Sequence, residues 1–412
     1  MRYLAALFLV STAACGEWTQ PEGFTEADLR LIQSMVLSED PPLDPSNSWS
    51  MNDAAARLGQ ALFFDTALSE PAGISCATCH DPSAWFIDTA SPPKTVSVVV
   101  PAGATAPRVT KRNSPSLVNV AHYRWWGWDG RSDSLWMQCA VAYEAGATMA
   151  GQRERIAQRL FDSYGDLAVR AGIPRGFSTD RGASYAYKAL AAYLAKLSSA
   201  RSPFDRFAEG EHGALSLEAQ KGLKLFIGKA GCVECHNGPA FNGTASARRQ
   251  DDFFHSVGVA QRGERVATVD KGRAEGLEVL LGTGPGIYNT AGIYNDGLDA
   301  GFNRVAGLVA SPDDVGRFRI KALRNVAQSA PYMHAGQLAT LADVVHFYNV
   351  GGDPSGYSGE RDRLVQPLGL TDDEERQLVR FLESLTGVSV PDELRCDISA
   401  TRPDTLTCRG PR

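Results

Sequence analysis

The chain has 412 residues, 43% apolar and 21% charged, with a formal net charge of −6. That is the balance of a folded protein long enough for about two domains. The acidic balance leaves no basic face for nucleic acid, and beyond the N-terminus no apolar run approaches the ~18 residues that span a bilayer.

In chain order, the first feature is "MRYLAALFLVSTAACGEW". Arg2, an apolar stretch from Tyr3 to Val10 and a run of small residues ending at Cys15 read as an export signal over residues 1–15. "STAACGE" resembles a bacterial lipoprotein cleavage box, with Thr12 where Leu is usual. A lipidated Cys15 gives membrane attachment; the alternative is a soluble exported protein with an incidental leader cysteine. Both readings place the mature protein in the periplasm, where disulfides persist. Residues 16–51 form an N-terminal extension. Within it "TEADLRLIQSMVL" opens a helix with Thr25 as cap and Asp28 three residues on.

Next comes "CATCH", Cys76, Cys79 and His80, repeated later as "CVECH", Cys232, Cys235 and His236. C-x-x-C-H is the attachment sequence of c-type haem: two thioethers fix the porphyrin edge and the adjacent His ligates iron. Eight Cys and seven His in this length make far less than one chance copy. Zinc wants four ligands gathered locally, and a redox dithiol has no use for the trailing His twice. Two covalent haems are therefore expected. "TVSVVV" at 95–100 is the clearest strand. "YRWWGWDGR" then sets Trp125, Trp126 and Trp128 together, either as a buried aromatic knot or as a conduit for electrons.

The stretch 183–198 carries a helical apolar face at Tyr187, Leu190, Leu194 and Leu197, followed by a polar Gly/Ser/Pro-rich segment that reads as a domain boundary. "TLADVVHFYNVGG" is a capped helix with Leu341, Val344, Val345 and Tyr348 on one face, and "TDDEERQLVRFLESLTG" has a capping box, Thr371 and Glu374, and a terminating Gly387. Of the other cysteines, Cys139 is alone, and Cys396 and Cys408 are candidates for a disulfide in the tail. The fold expected is mainly α: two cytochrome c-like haem domains, 52–200 and 201–390, with long loops and a tail at 391–412.

Four segments, "LGQALFFDTALSEPAGISCATCHDP", "RNSPSLVNVAHYRWWGWDGR", "GLKLFIGKAGCVECHNGPAFN" and "ALRNVAQSAPYMHAGQLATLADVVHFYNVGG", resemble in sequence and order the bacterial dihaem cytochrome c peroxidases and their MauG- and MbnH-type relatives. The resemblance covers roughly residues 52 to 387. It implies a first, peroxidatic haem on His80 and a second, electron-transfer haem on His236, with Trp128 of W-D-G-R relaying electrons between them. Trp125 and Trp126 fall outside that motif and read as packing. The family takes the sixth ligand of the second haem fourteen residues past the His of P-Y-M-H; His334 plus fourteen is Tyr348. A tyrosine there favours ferric iron. Met333 and His334 are rival ligands, and a core tyrosine is the plain alternative.

Peroxidases of the family often carry a reversible His ligand between the first haem motif and "RNSP"; here there is no His between His80 and His122, so the first haem is expected to be open. His122 itself is assigned a surface or interface role. The family's distal Gln, Pro and Glu fall on Gln138, Ala142 and Thr148. Thr148 cannot act as a carboxylate; Glu144, one helical turn earlier, is either its substitute or an ordinary exposed residue. Asn113 matches a calcium-binding Asn, with Ser329 and Pro331 at the carbonyl positions. The resemblance thus implies two haems and one Ca²⁺. Hydrogen peroxide is the expected substrate, and the partner is either a small redox protein or a protein whose Trp or Tyr side chains are oxidised. A non-catalytic electron-transfer or sensor protein is the remaining alternative.

Overall fold

The structure, a computed structural model, describes residues 23–89, 98–99, 107–245, 250–259, 270–352 and 361–399. Cys15 and Cys408 lie outside these residues; Cys396 is disulfide-bonded. The described residues form twelve α-helices. The first seven are α1 (Glu26–Gln33), α2 (Asp53–Phe64), α3 (Cys76–Cys79), α4 (Leu135–Glu144), α5 (Arg153–Asp162), α6 (Gly165–Arg170) and α7 (Thr179–Ala195). After them come α8 (Pro203–Ala208), α9 (Leu217–Ile227), α10 (Arg273–Leu280), α11 (Leu341–Asn349) and α12 (Asp372–Glu383). Sheet among the described residues is two antiparallel pairs: β1 (Val98–Val99) with β2 (Arg108–Val109), and β3 (Phe254–His255) with β4 (Phe318–Arg319). The strand expected at 95–100 is described only at Val98 and Val99. The chain is mainly helical, as its patterning required.

Local chemistry sets several helix starts. Thr25, Thr340 and Thr371 each accept from the backbone N–H three residues on, while Asp28, Asp343 and Glu374 reach back to complete the box. Ser178 caps α7, which therefore starts four residues before the expected 183 and ends at Ala195. Gly387 does not terminate α12, whose C-cap is Ser384. Its N–H instead donates to Asn325 at 2.9 Å, and a Cβ there would press on Ala200 and Ser199.

Two hydrophobic cores result. In the first, α2 and α7 cross at Gly59, where a Cβ would strike the Ala189 carbonyl; Leu58, Leu62, Phe63, Trp136 and Tyr187 pack around them. In the second, α9 and α12 cross at Gly222 against the Gln377 carbonyl, with Phe204, Phe226, Phe241 and Phe381. The cores do not divide the chain at 200. Phe24, Ile32 and Met35 of the N-terminal extension join the second core, and Leu277, Tyr288 and Tyr294 join the first. Arg324 ties these parts together: it donates to Asp205 at 2.7 and 2.8 Å, to the Met35 carbonyl at 2.7 Å and to the Pro239 carbonyl at 2.9 Å, all buried or nearly so.

Candidate functional site

The two C-x-x-C-H segments are built alike. Cys76–Cys79 is one helical turn, α3, capped by His80, and Cys232–Glu234 is a 3-10 turn capped by Cys235, just before His236. His80 Nδ1 lies 3.1 Å from the Phe86 carbonyl, and His236 Nδ1 lies 3.1 Å from the Phe241 carbonyl. Both phenylalanines are fully buried and hold left-handed backbone, φ 57° and 53°, which turns each carbonyl back onto its imidazole. A donating Nδ1 fixes the tautomer and leaves Nε2 as the free lone pair, the form an iron ligand requires. Burial lowers both imidazole pKa values, which favours the neutral ring. Burial also pushes Cys76, Cys79 and Cys232 up to about 12 and Cys235 up to about 11. As free side chains these are neutral thiols, unlike the activated thiolate of a reactive dithiol.

The second segment opens on a cavity of about 390 Å³. Cys232, Cys235 and His236 form one wall; Met333, His334 and Tyr348 are also among the lining residues. Val345, Leu378 and Leu382 make the walls largely apolar. An apolar slot with two cysteines and a histidine in its wall fits a haem. Tyr348 sits on α11, its hydroxyl pushed up by burial and by the Cys235 and Cys232 thiols. His334 is stacked on Phe318, centroids 4.2 Å apart, with Nε2 3.6 Å from the Asp270 carboxylate. Burial holds His334 down to about 4, although Asp270 opposes the shift.

Trp128 lines the same cavity. Its Nε1–H donates to the Asn113 carbonyl at 2.8 Å, and its ring meets His334 edge-on at 6.4 Å. Asn113 in turn donates from its backbone to the His334 carbonyl at 2.6 Å and from Nδ2 to the Pro331 carbonyl at 3.1 Å. The "RNSP", "WDGR" and "PYMH" segments are therefore one unit. Ion pairs reinforce it: Asp129 is buried against Arg112 at 2.5 Å and Arg131 at 2.6 Å, and Arg112 also pairs with Asp270 at 2.7 Å. Burial alone would raise the Asp129 pKa; the two guanidiniums outweigh it and hold the carboxyl well below the usual range.

The neighbouring tryptophans are packed differently. Trp125 is fully buried with Arg273 4.9 Å from its ring, and Trp126 donates to the Val120 carbonyl at 3.0 Å. Sequence reasoning did not single out Lys321, whose Nζ lies 4.4 Å over the Trp128 ring. Burial, then Arg319, lower its pKa well below the ordinary lysine value. The signal available was "FRIKAL", in which Arg319 and Lys321 alternate with Phe318 and Ile320.

On α4, Gln138 accepts from Ser132 Oγ at 3.1 Å. Thr148 Oγ1 donates to the Ala142 and Ala145 carbonyls at 2.6 and 3.0 Å, closing the end of the helix. Glu144 is not an ordinary exposed residue: Arg153 holds it by two 2.9 Å bonds and the Tyr187 hydroxyl donates to it at 3.0 Å. His122 has its Nε2 buried without a partner among the described residues, and its carbonyl accepts from Asn242 of the second core's loop at 3.0 Å. At the proposed calcium position, the Asn113 side chain and the Pro331 carbonyl are adjacent.

Comparison with known proteins identifies the family. The di-haem cytochrome c peroxidase family profile matches residues 53–213. The chain is 34% identical over 356 residues to cytochrome-c peroxidase IdrP1 of Denitromonas iodatirespirans, covering 84% of this chain and 85% of that one. It is 30% identical over 383 residues to the methylamine utilization protein MauG of Methylorubrum extorquens, covering 91% and 90%. The crystal structure of a MauG-like protein associated with microbial copper homeostasis shares its fold, with a TM-score of 0.61 at 23% identity over 88% of this chain and 97% of that one. The chain belongs to the di-haem cytochrome c peroxidase family and is an oxidoreductase of the peroxidase type.

Proposed function

We propose that the protein is an exported, periplasmic oxidoreductase that holds one haem on Cys76, Cys79 and His80 and another on Cys232, Cys235 and His236. When bound, the first haem supplies the iron at which hydrogen peroxide is reduced and the second an electron-transfer centre. The observation that carries this reading is the repeated Nδ1-to-carbonyl contact at His80 and His236, which fits the tautomer whose Nε2 lone pair would ligate iron. Tyr348 is the second haem's sixth ligand: it lines that cavity beside the attachment cysteines. A phenolate ligand lowers the potential and favours oxidised iron.

Trp128 is the relay between the two sites. Its indole N–H bonds a backbone carbonyl, which takes no proton, so the ring gives and regains an electron without a coupled transfer. Glu144 is the carboxylate on α4 that handles protons on the first side, with Gln138 as the neighbouring polar group. Asn113, with the Ser329 and Pro331 carbonyls, binds Ca²⁺. Cys15 is the site of lipid attachment.

Two reductants fit: a small cytochrome or copper protein, and a partner protein whose Trp or Tyr side chains are oxidised. Tyr348 favours the second. The holoprotein should show two haems per chain that survive acid–acetone extraction and give a c-type pyridine haemochrome spectrum; one haem, or extractable haem, would sink the assignment. Peroxide consumption with a reduced cytochrome, beside mass spectrometry of candidate protein substrates, separates the two reductants.

A further inference from the structure

Four tyrosine rings run in file through the first core. Centroids are 5.9 Å apart between Tyr143 and Tyr187, 5.3 Å between Tyr187 and Tyr288, and 5.2 Å between Tyr288 and Tyr294. The inner end approaches the first attachment segment. Cys76 Sγ lies 3.9 Å from Met149 Sδ, and two residues on, Gly151 packs directly on the Tyr143 ring. At the outer end Tyr294 is itself buried, 9% exposed beneath Arg181 at 4.7 Å, and the solvent-facing residue next to it is Ile293.

The hydroxyls are not equivalent. An oxidised phenol keeps its energy low only by losing its proton, so a redox tyrosine needs a base. Tyr143 and Tyr288 donate to the Gln152 and Asp180 carbonyls, at 2.9 and 3.3 Å, which accept no proton. Tyr187 donates to a carboxylate, Glu144, at 3.0 Å. Arg153 fixes that carboxylate and also lies 5.0 Å from the Tyr288 ring. Burial, then the Glu144 charge, push Tyr187 well up, so it is a neutral phenol that gives up its proton only when it gives up an electron.

We infer that Tyr187, with Glu144 as its proton acceptor, is a redox site that stores an oxidising equivalent and delivers it, across the Tyr288 and Tyr294 rings, to a phenol or indole donor at the Tyr294 surface. The inference rests on the peroxide chemistry proposed above, with hydrogen peroxide as the oxidant. Tyr187 loses one electron toward the first haem and its hydroxyl proton to Glu144, leaving a neutral phenoxyl. An electron from the donor and the proton on Glu144 restore the phenol, while the oxidised donor releases its own proton to solvent. Two such cycles supply the two electrons that, with two protons, convert one peroxide to two waters.

The test is freeze-quench EPR of the two-haem holoprotein after peroxide addition without reductant, with peroxide consumption measured in the same samples. A tyrosyl signal that narrows with ring-deuterated tyrosine is expected. Tyr187→Phe removes only a hydroxyl and should abolish it. Glu144→Gln keeps a hydrogen-bond acceptor but not a base and should lower its yield by about tenfold or more. Tyr164→Phe is the control: its hydroxyl also donates to a carboxylate, Asp65 at 2.8 Å, but its ring packs beside Arg159. That variant should leave the signal unchanged. Peroxide consumption with no tyrosyl signal, a full signal in Tyr187→Phe, or its loss in Tyr164→Phe overturns this inference alone. No peroxide consumption overturns the proposed function with it.

Discussion

Trp128→Phe separates packing from electron transfer because the two effects differ in size. Phe keeps a ring but removes the N–H that satisfies the Asn113 carbonyl at 2.8 Å. An acceptor left without a donor costs about 1–3 kcal/mol when buried. The expected destabilisation is about 1–3 kcal/mol, a fall in melting temperature of about 1–4 °C for a chain of this length. Well below that melting temperature the variant is folded, so stability alone leaves turnover almost intact. Phe is much harder to oxidise than indole, and peroxide turnover with a reduced donor should nevertheless fall sharply. Circular dichroism melts and steady-state turnover on the same holoprotein make the comparison. Turnover that falls only in step with the folded fraction would refute the relay, as would equal losses in Trp125→Phe and Trp126→Phe.

Tyr348→Phe should change the visible spectrum of the second haem and raise its potential; an unchanged spectrum returns Tyr348 to a packing role. Asp205→Ala leaves Arg324 buried without its counter-charge and should cost about 3–5 kcal/mol in denaturant unfolding; a cost under about 1 kcal/mol would contradict the reading of Arg324 as the tie between segments. His122 is held down to about 4, by burial and then by Arg324, against 6.5 when unfolded. The unfolded chain therefore binds a proton between these values that the native one refuses, and stability drops as pH falls from about 6.5 to 4. His122→Gln should flatten that part of the pH dependence, and an identical slope in both proteins would exclude His122 as its source.

The haem-attachment segments could be read from the sequence because their chemistry is set by covalent spacing: C-x-x-C-H places two thiols and an imidazole within one turn wherever the segment sits. The capping boxes at Thr25, Thr340 and Thr371 were legible for the same reason, each closing over three residues. So was the apolar face of α11, whose Leu341 and Val345 are buried while Val344 and Tyr348 line the cavity. Motif order carried the family, which the relatives at 30–34% identity bear out.

What the tertiary structure decided depends on groups far apart in the chain. No local pattern sends the N-terminal helix to the second core and residues 277–294 to the first; burial of apolar surface does, and it is indifferent to chain order. Gly387 read as a helix stop but was taken by Asn325, sixty-two residues away. The ion pairs of Asp129 with Arg112 and of Arg112 with Asp270, the lysine over Trp128 and the Tyr187–Glu144 bond are pairings of side chains 17 to 193 positions apart. Sequence specifies which groups can ionise or be oxidised; only packing brings a base to Tyr187 and a lysine to Trp128, because hydrogen bonds and ring contacts form only within a few ångströms.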